Sequence, residues 1–303
     1  MSERTLLDSK YNLKVFLADE GHYLIKIFKN IFQFLAVSSL YTSCIGFCIA
    51  FAGFILLGAN PDLHACLAVS LTVFSVYSLN KLTDKKEDAI NSPERLCLLA
   101  GRTRLILIYS LMSYAFSVLL IALEKPIAIP VIFIPLLANA LYSSRLIPGL
   151  PRLKDIPLMK NLVVAFSWAS VCVLIPAAYS ECLDGKTILI FYFIIQKVFI
   201  NTILYDVRDI AGDRENGIRT LPCLFGLKKT SLILLAMNST LLPLLALTKG
   251  TSQLLMGGMT IYGYIYILCF SNMQSPLLLD LFVDGEWMLA CISIILMSRM
   301  GLL

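Results

Sequence analysis

The chain has 303 residues, of which 58% are hydrophobic, and its mean hydropathy is +0.80. Lys and Arg number 25 against 20 Asp and Glu, so the formal net charge is only +5. This composition excludes an ordinary soluble domain. We expect an integral, multi-pass membrane protein with no nucleic-acid partner.

Nine apolar runs are long enough to be considered as transmembrane helices, because a span needs about 20 residues. The predicted spans are 31–56, 63–82, 104–123, 126–142, 158–179, 187–205, 230–248, 254–271 and 286–303. The sequence therefore predicts an all-α polytopic bundle, with 1–22 as a polar N-terminal lead-in and 23–303 as a single transmembrane domain. The acidic segment 272–285 is predicted to be a loop.

Basic residues concentrate in alternate loops. The N-terminal segment and the loops after the second, fourth and sixth predicted spans hold 20 of the 25 Lys and Arg residues. Cytoplasmic loops carry such an excess, so we expect the N-terminus and these loops to face the cytoplasm. The segment 272–285 breaks the pattern, because it is assigned to the same side and contains no Lys or Arg.

A first polar cluster, in the sequence NKLTDKKED, follows the second predicted span. Asn80, Asp84 and Asp88 recur every four residues and so share one helix face. Carboxylates are expensive this close to lipid and call for an explanation. A solvated helix end is one explanation, and a cation site is the other.

A second cluster, in YDVRDIAGD, follows the sixth predicted span. Asp84 and Asp209 are 125 residues apart, as are Asp88 and Asp213, which suggests two related halves. Hard oxygen ligands suit Mg²⁺, which binds through one or two carboxylates plus substrate phosphates. The expected metal ligands are Asp84, Asp88, Asp209 and Asp213, with Asn80 and Asp206 as further ligands or as supports of the ligands.

Basic side chains accompany both clusters. Carboxylates that hold a divalent cation, together with cations that bind phosphate oxygens, describe a diphosphate site. The expected diphosphate-binding residues are Arg95, Arg145, Lys154 and Arg208. Membrane topology alone also explains bases in these loops, and Arg208 can simply pair with its flanking aspartates.

One ionisable residue lies inside the sixth predicted span. Lys197, Asn201, Tyr205 and Asp209 recur every four residues, so they trace one helix face from the membrane interior to the second cluster. A charge at that depth is a functional hypothesis by default. Snorkelling, or a structural pair with a buried acid, is the alternative.

Motif order and spacing resemble the UbiA superfamily of intramembrane prenyltransferases over roughly residues 25–303. In that family an Asn is followed by aspartates at the fourth and eighth positions, and a second acidic helix end runs into Gly-x-x-Thr-Leu. Residues that match the family's motifs are Asn80, Asp84, Asp88, Asn91, Pro93, Arg95, Gly101, Tyr142, Ser143, Lys154, Pro157, Leu158, Asn161, Asp206, Asp209, Asp213, Gly217, Thr220 and Leu221. The chain departs at Lys81, where the family often has Asp, and at Leu96, where it often has Pro.

The resemblance implies Mg²⁺-dependent transfer of a polyprenyl group from an allylic prenyl diphosphate, for example geranylgeranyl diphosphate, through an allylic carbocation. It places the active site at the cytoplasmic end of a central cavity whose apolar walls keep water from the cation. It adds Tyr142 to Lys197, Asn201 and Tyr205 as catalytic or cavity-lining candidates.

The acceptor stays open at this point. It can be an aromatic quinone precursor, a lipid hydroxyl as in a glycerol-phosphate lipid, or a tetrapyrrole alkyl group; the pairs Arg208-Asp209 and Thr220-Leu221 slightly favour the quinone type. A secondary transporter with an acidic and basic ion site on the cytoplasmic side is the alternative class, since many spans, an internal repeat and an intramembrane Lys fit it. Transporters usually place such charges near the bilayer midplane, whereas these acids lie at span ends.

Overall fold

The computed structural model is a helical bundle. Backbone is described for 37–83, 101–143, 156–215, 217–270 and 275–300, together with 27, 30–32, 34 and 35. The predicted polar lead-in 1–22 lies outside the described residues, as does the loop 84–100 that carries most of the first acidic cluster.

Seven described helices are long and apolar enough to cross a membrane. They are α1 (Leu40–Leu57), α2 (Leu63–Thr83), α3 (Thr103–Glu124), α5 (Met159–Tyr179), α6 (Gly185–Arg208), α10 (Gly250–Phe270) and α11 (Leu277–Arg299). Between them lie α4 (Ile129–Ser143), α7 (Ile210–Glu215), α8 (Leu221–Ser239) and α9 (Leu242–Leu245). The prediction of an all-α polytopic membrane protein is confirmed, and seven of the nine predicted spans coincide with these long helices.

The other two predicted spans differ from the helices that form. The run at 126–142 becomes a short apolar helix, Pro126–Leu141, which contains Pro135. In place of the predicted span 230–248, the helix α8 begins earlier, at Leu221. Pro222 lies in its first turn, where the N–H that proline lacks would have no helical partner anyway. The chain kinks at Gly226, whose φ is 76°, and α8 ends at Ser239.

Local chemistry explains where several helices start and stop. The carboxylate of Asp62 accepts a hydrogen bond from the backbone N–H of Ala65 at 2.8 Å, and Asp184 caps α6 in the same way through Thr187 at 3.1 Å. Gly58, with a φ of 78°, ends α1 in the left-handed conformation that glycine adopts without strain. Gly217, with a φ of 69°, follows α7 in the same conformation.

Helices that are adjacent in the chain pack against each other, and α1 also contacts α5, α6 and α10. Consecutive neighbours α1, α2 and α3 contact one another, α6 packs on both α5 and α8, and α11 returns to contact α1. Polar groups join α2 to α3 where Thr72 and Ser117 share a hydrogen bond of 2.8 Å. At Gly53 the α1 backbone approaches α5 so closely that an added Cβ would lie 2.3 Å from the carbonyl oxygen of Cys172.

The last transmembrane segment corrects one prediction. The acidic part of 272–285 is not a loop, because residues from Pro276 onward are helical and Asp280–Asp284 form a π-helical turn within α11. Its acids bond to partners on α6. Tyr205 Oη lies 2.9 Å from carboxylate oxygens of both Asp280 and Asp284, which replaces the hydration that a loop would have supplied.

Candidate active site

The second acidic cluster gathers at the junction of α5, α6 and α7. Asp206, in the last turn of α6, is 1% exposed, and each of its carboxylate oxygens has a partner. Lys160 Nζ lies 2.9 Å from Asp206 Oδ1, and Asn161 Nδ2 donates to Oδ2 at 2.8 Å. Both partners come from the first turn of α5, so α5 positions the acid of α6.

Asp213, on α7, lies beside this pair. Its carboxylate is 2% exposed, and its Oδ1 is 3.8 Å from Lys160 Nζ. Burial raises the pKa of Asp213 to about 6, the charges of Asp206 and Asp209 add to the rise, and Lys160 opposes it. Its Oδ2 is buried and makes no hydrogen bond of standard geometry within the described chain, although the nearby Thr220 hydroxyl lowers the pKa of this acid.

Asp209 is engaged differently. Arg208 donates to it through both Nε, at 2.7 Å, and Nη2, at 2.8 Å. The guanidinium also stacks over the ring of Tyr205, 4.9 Å from its centroid. The structure therefore shows the alternative in which Arg208 simply pairs with a flanking aspartate, and Asp209 is that partner.

The described charges fit a hard divalent cation. Asp206, Asp209 and Asp213 are three carboxylates against the two cations Lys160 and Arg208, which leaves one negative charge before the first cluster is counted. Carboxylate oxygens are the ligands Mg²⁺ prefers, and Asp213 Oδ2, which makes no hydrogen bond within the described part of the chain, could serve as one of them.

A cavity of about 110 Å³ opens between α2, α4 and α5. Val163 and Val164 line it only three and four residues after Lys160, so it begins about one helical turn below the acidic cluster. The lining residues are Val73, Val76, Tyr77, Asn80, Pro135, Ala138, Asn139, Val163, Val164, Ser167, Trp168 and Val171. The wall is thus mostly apolar, with a few polar groups.

The cavity wall carries two notable groups of polar atoms, one formed by Trp168 and Tyr77 and the other by Asn80. Trp168 Nε1 donates to Tyr77 Oη at 2.8 Å, and their rings meet edge to face at 5.8 Å. Asn80 Oδ1 is buried without a hydrogen-bond partner in the described part of the chain. Asn80 therefore combines the role expected from its motif with an unsatisfied oxygen at this cavity.

Lys197 is fully buried and belongs to a network between α6, α10 and α11. Its Nζ lies 2.6 Å from Glu286 Oε1 and donates to Tyr266 Oη at 2.9 Å and to the Met259 carbonyl at 3.0 Å. Tyr266 donates in turn to Asn201 Oδ1 at 2.9 Å. The intramembrane cation thus has a buried acid as its partner, which is the structural alternative raised above.

Comparison with known proteins decides the family. A model of the UbiA prenyltransferase family matches residues 39–277. The chain belongs to the UbiA prenyltransferase family. The resemblance drawn from the aspartate motifs is confirmed.

Sequence relatives match part of their length. Digeranylgeranylglyceryl phosphate synthase of Sulfolobus acidocaldarius is 33% identical over 176 residues, which cover 55% of this chain and 58% of that protein. The synthase of the same name from Natronomonas pharaonis is 30% identical over 167 residues, covering 55% of this chain and 57% of that protein. The chain thus aligns with somewhat more than half of these relatives.

Solved structures share the fold over nearly their whole length. A UbiA homologue from Aeropyrum pernix superposes with a TM-score of 0.63 at 18% identity, covering 84% of this chain and 98% of that one. A UbiA homologue from Archaeoglobus fulgidus, bound to GPP and Mg²⁺, gives 0.61 at 15% identity, covering 87% and 99%. At these identities the likeness establishes the fold.

The UbiA-type site is only partly described. Asp84, Asp88, Arg95, Arg145 and Lys154 lie outside the described residues, and their roles stay predictions. Tyr142 lies in the last turn of α4, and its side chain is outside the described part too. The face that carries Lys197, Asn201 and Tyr205 bonds to α10 and α11, whereas the cavity is lined by α2, α4 and α5.

Sequence reasoning missed Lys160 as a member of the acidic cluster, because it was counted only among the topology-setting bases. Asn161 was noted as a motif residue without a role. Glu286 could have been found from the sequence, because it is an acid next to an apolar run and an intramembrane lysine needs an acidic partner. Asn139, by contrast, could not, because a single Asn in a helix does not reveal which cavity it lines.

Proposed function

We propose that this chain transfers a prenyl group from an allylic prenyl diphosphate to the hydroxyl of a glycerol-phosphate lipid. One observation carries the proposal: the buried acidic cluster, in which Asp213 Oδ2 makes no hydrogen bond within the described chain, shares α5 with a mostly apolar cavity that begins about one turn after Lys160. A diphosphate with a hydrocarbon tail needs both environments side by side. Family membership favours this class over a transporter.

The described residues divide the work at the diphosphate end. Asp209 and Asp213, with Asp84 and Asp88 as predicted, would hold Mg²⁺, which when bound supplies positive charge to stabilise the departing diphosphate. Lys160 and Arg208 are the described cations next to these acids. Asn161 holds Asp206 in place and so orients the cluster.

The cavity residues act on the hydrocarbon end. Their valine-rich walls exclude water, so the allylic carbocation left after C–O cleavage is captured by the acceptor rather than hydrolysed. Diphosphate leaves with the bonding electron pair, the acceptor oxygen forms the new C–O bond, and its proton is released. A tail of this kind leaves lipid only at about 0.8 kcal/mol per CH₂, which favours a site inside the membrane.

The names of the relatives support one choice of acceptor. Proteins named for synthesis of digeranylgeranylglyceryl phosphate match this chain, and that product is a glyceryl phosphate carrying two geranylgeranyl groups. We therefore place a geranylgeranylglyceryl phosphate ahead of the quinone precursors that Arg208-Asp209 and Thr220-Leu221 favoured. The positive-inside pattern further supports a cytoplasmic acidic end, in one domain spanning 23–303.

The test is product identification. The purified protein in lipid nanodiscs receives Mg²⁺, one of the C10, C15 and C20 prenyl diphosphates, and either geranylgeranylglyceryl phosphate or 4-hydroxybenzoate. Mass spectrometry should find the ether product with the C20 donor and the lipid acceptor, together with released diphosphate. An Asp213→Ala variant is the matched control and should give no product. Prenylation of the aromatic acid alone would refute the acceptor, and no product from any pair would refute the activity.

A further inference from the structure

Lys160 occupies an unusual position among the acids. Its ammonium lies 2.9 Å from Asp206 Oδ1 and 3.8 Å from Asp213 Oδ1, so one cation serves two carboxylates. The Lys160 side chain is 25% exposed, whereas those of the two acids are 2% and 3% exposed. The acids are therefore enclosed, and the lysine reaches them from the open side.

The two acids are not held equally. Asp206 keeps Asn161 as a second partner, while Asp213 Oδ2 is buried and unpaired within the described chain. If the ammonium left, Asp206 would retain one hydrogen bond and both acids would expose oxygens to the same space. A lysine can make that move, because its charge sits on a flexible four-carbon stem with three rotatable donors.

The ammonium and a divalent cation compete for one place. Both are attracted by the same carboxylates and repel each other at short range. We infer that Lys160 exchanges partners during the reaction cycle: it neutralises Asp206 and Asp213 when no divalent cation is bound, and turns to the diphosphate oxygens when one is. This inference rests on the proposed function for the identity of the diphosphate.

The exchange predicts changes of opposite sign in two binding constants. Removing the charge removes a competitor of the divalent cation, so metal should bind more tightly. The same removal deletes a charge-assisted hydrogen bond to the diphosphate, so that ligand should bind more weakly. A lysine that merely supports the fold would weaken both.

Lys160→Met tests this without turnover. Mn²⁺ affinity is measured by electron paramagnetic resonance titration of the full-length protein in detergent, and inorganic diphosphate affinity by calorimetry at saturating Mn²⁺. We expect Mn²⁺ to bind about tenfold more tightly and diphosphate about tenfold more weakly than to the wild type. Lys229→Met, which removes an exposed lysine of α8, is the control and should change neither constant.

Two further variants keep the result interpretable. Lys160→Gln retains a donor towards Asp206 without the charge, and it replaces the Met variant if that variant does not purify as a folded protein. Lys160→Arg keeps the charge and should keep the wild-type Mn²⁺ affinity. Unchanged or weaker Mn²⁺ binding in the folded neutral variants would overturn the exchange. Because only binding is measured, this outcome is separable from a wild type that binds both ligands but makes no prenyl product.

Discussion

Replacing Lys197 by Met should destabilise the protein strongly, because it leaves Glu286 as a buried, uncompensated carboxylate. Glu286 is only 2% exposed, and Lys197 Nζ lies 2.6 Å from its Oε1. Breaking a buried pair by removing one partner costs about 3–5 kcal/mol, and Met preserves most of the apolar stem. We expect a loss in that range for Lys197→Met.

The double variant Lys197→Met with Glu286→Gln supplies the matched control. It removes both charges, so the desolvation penalty of a lone carboxylate disappears. What stays lost are the hydrogen bonds from Nζ to Tyr266 and to the Met259 carbonyl, each worth about 1 kcal/mol. The double variant should therefore lie within about 2 kcal/mol of the wild type, giving a coupling of several kcal/mol.

Unfolding in detergent at pH 7.5, followed by circular dichroism, measures the four stabilities of this cycle. A double variant no more stable than Lys197→Met would refute the ion-pair reasoning. Kinetics then test function. Because the pair lies between α6, α10 and α11 while α2, α4 and α5 line the cavity, kcat and KM of the double variant should stay within about twofold of wild type. A much lower kcat with the fold intact would place Lys197 in the reaction cavity.

Four further predictions concern the site and the packing. Asp213→Asn should abolish turnover yet stabilise the metal-free protein above pH 7, because burial raises the pKa of this acid from 3.8 to about 6 and so penalises its charged form by up to about 3 kcal/mol. This gain should vanish below about pH 4, where the carboxyl is protonated in both folded and unfolded states. Gly53→Ala should cost about 1–3 kcal/mol, since its Cβ would meet the Cys172 carbonyl at 2.3 Å, whereas Gly258→Ala meets nothing within 4 Å. EDTA should stop prenyl transfer and added Mg²⁺ restore it. Single cysteines placed in 218–229, in a background without native cysteines, should be labelled from the cytoplasmic side.

Each of these has a clear contrary result. If the effect of Asp213→Asn on thermal unfolding in EDTA does not change with pH, burial does not raise the pKa of Asp213 as argued. Equal melting temperatures for the two glycine variants would mean that α1 and α5 can separate without penalty. Turnover that persists in EDTA would contradict the metal site. Labelling of 218–229 from outside would show that the predicted membrane orientation is reversed.

The membrane-spanning class of this chain is a local property of its sequence. Mean hydropathy and run length predicted an α-helical bundle because a bilayer admits helices that satisfy their own backbone, and seven predicted spans coincide with long apolar helices. The second acidic cluster was likewise visible, since Asp206, Asp209 and Asp213 follow an apolar run. Helix spacing placed Lys197, Asn201 and Tyr205 on one face, and all three do bond to neighbouring helices.

Tertiary structure alone decided which groups meet. Asp280 and Asp284 suggested a loop by composition, yet they are helical and only partly exposed, because Tyr205 on α6 lies within hydrogen-bonding distance of both. Lys197 on the same helix supplies the partner of the buried Glu286. Lys160 joins the acidic cluster because α5 packs against α6, 46 residues further along the chain. Hydropathy and periodicity report the environment each residue prefers by itself. A buried charge is tolerated only where a distant segment brings the opposite charge or a hydrogen bond, and that pairing exists only in the folded bundle.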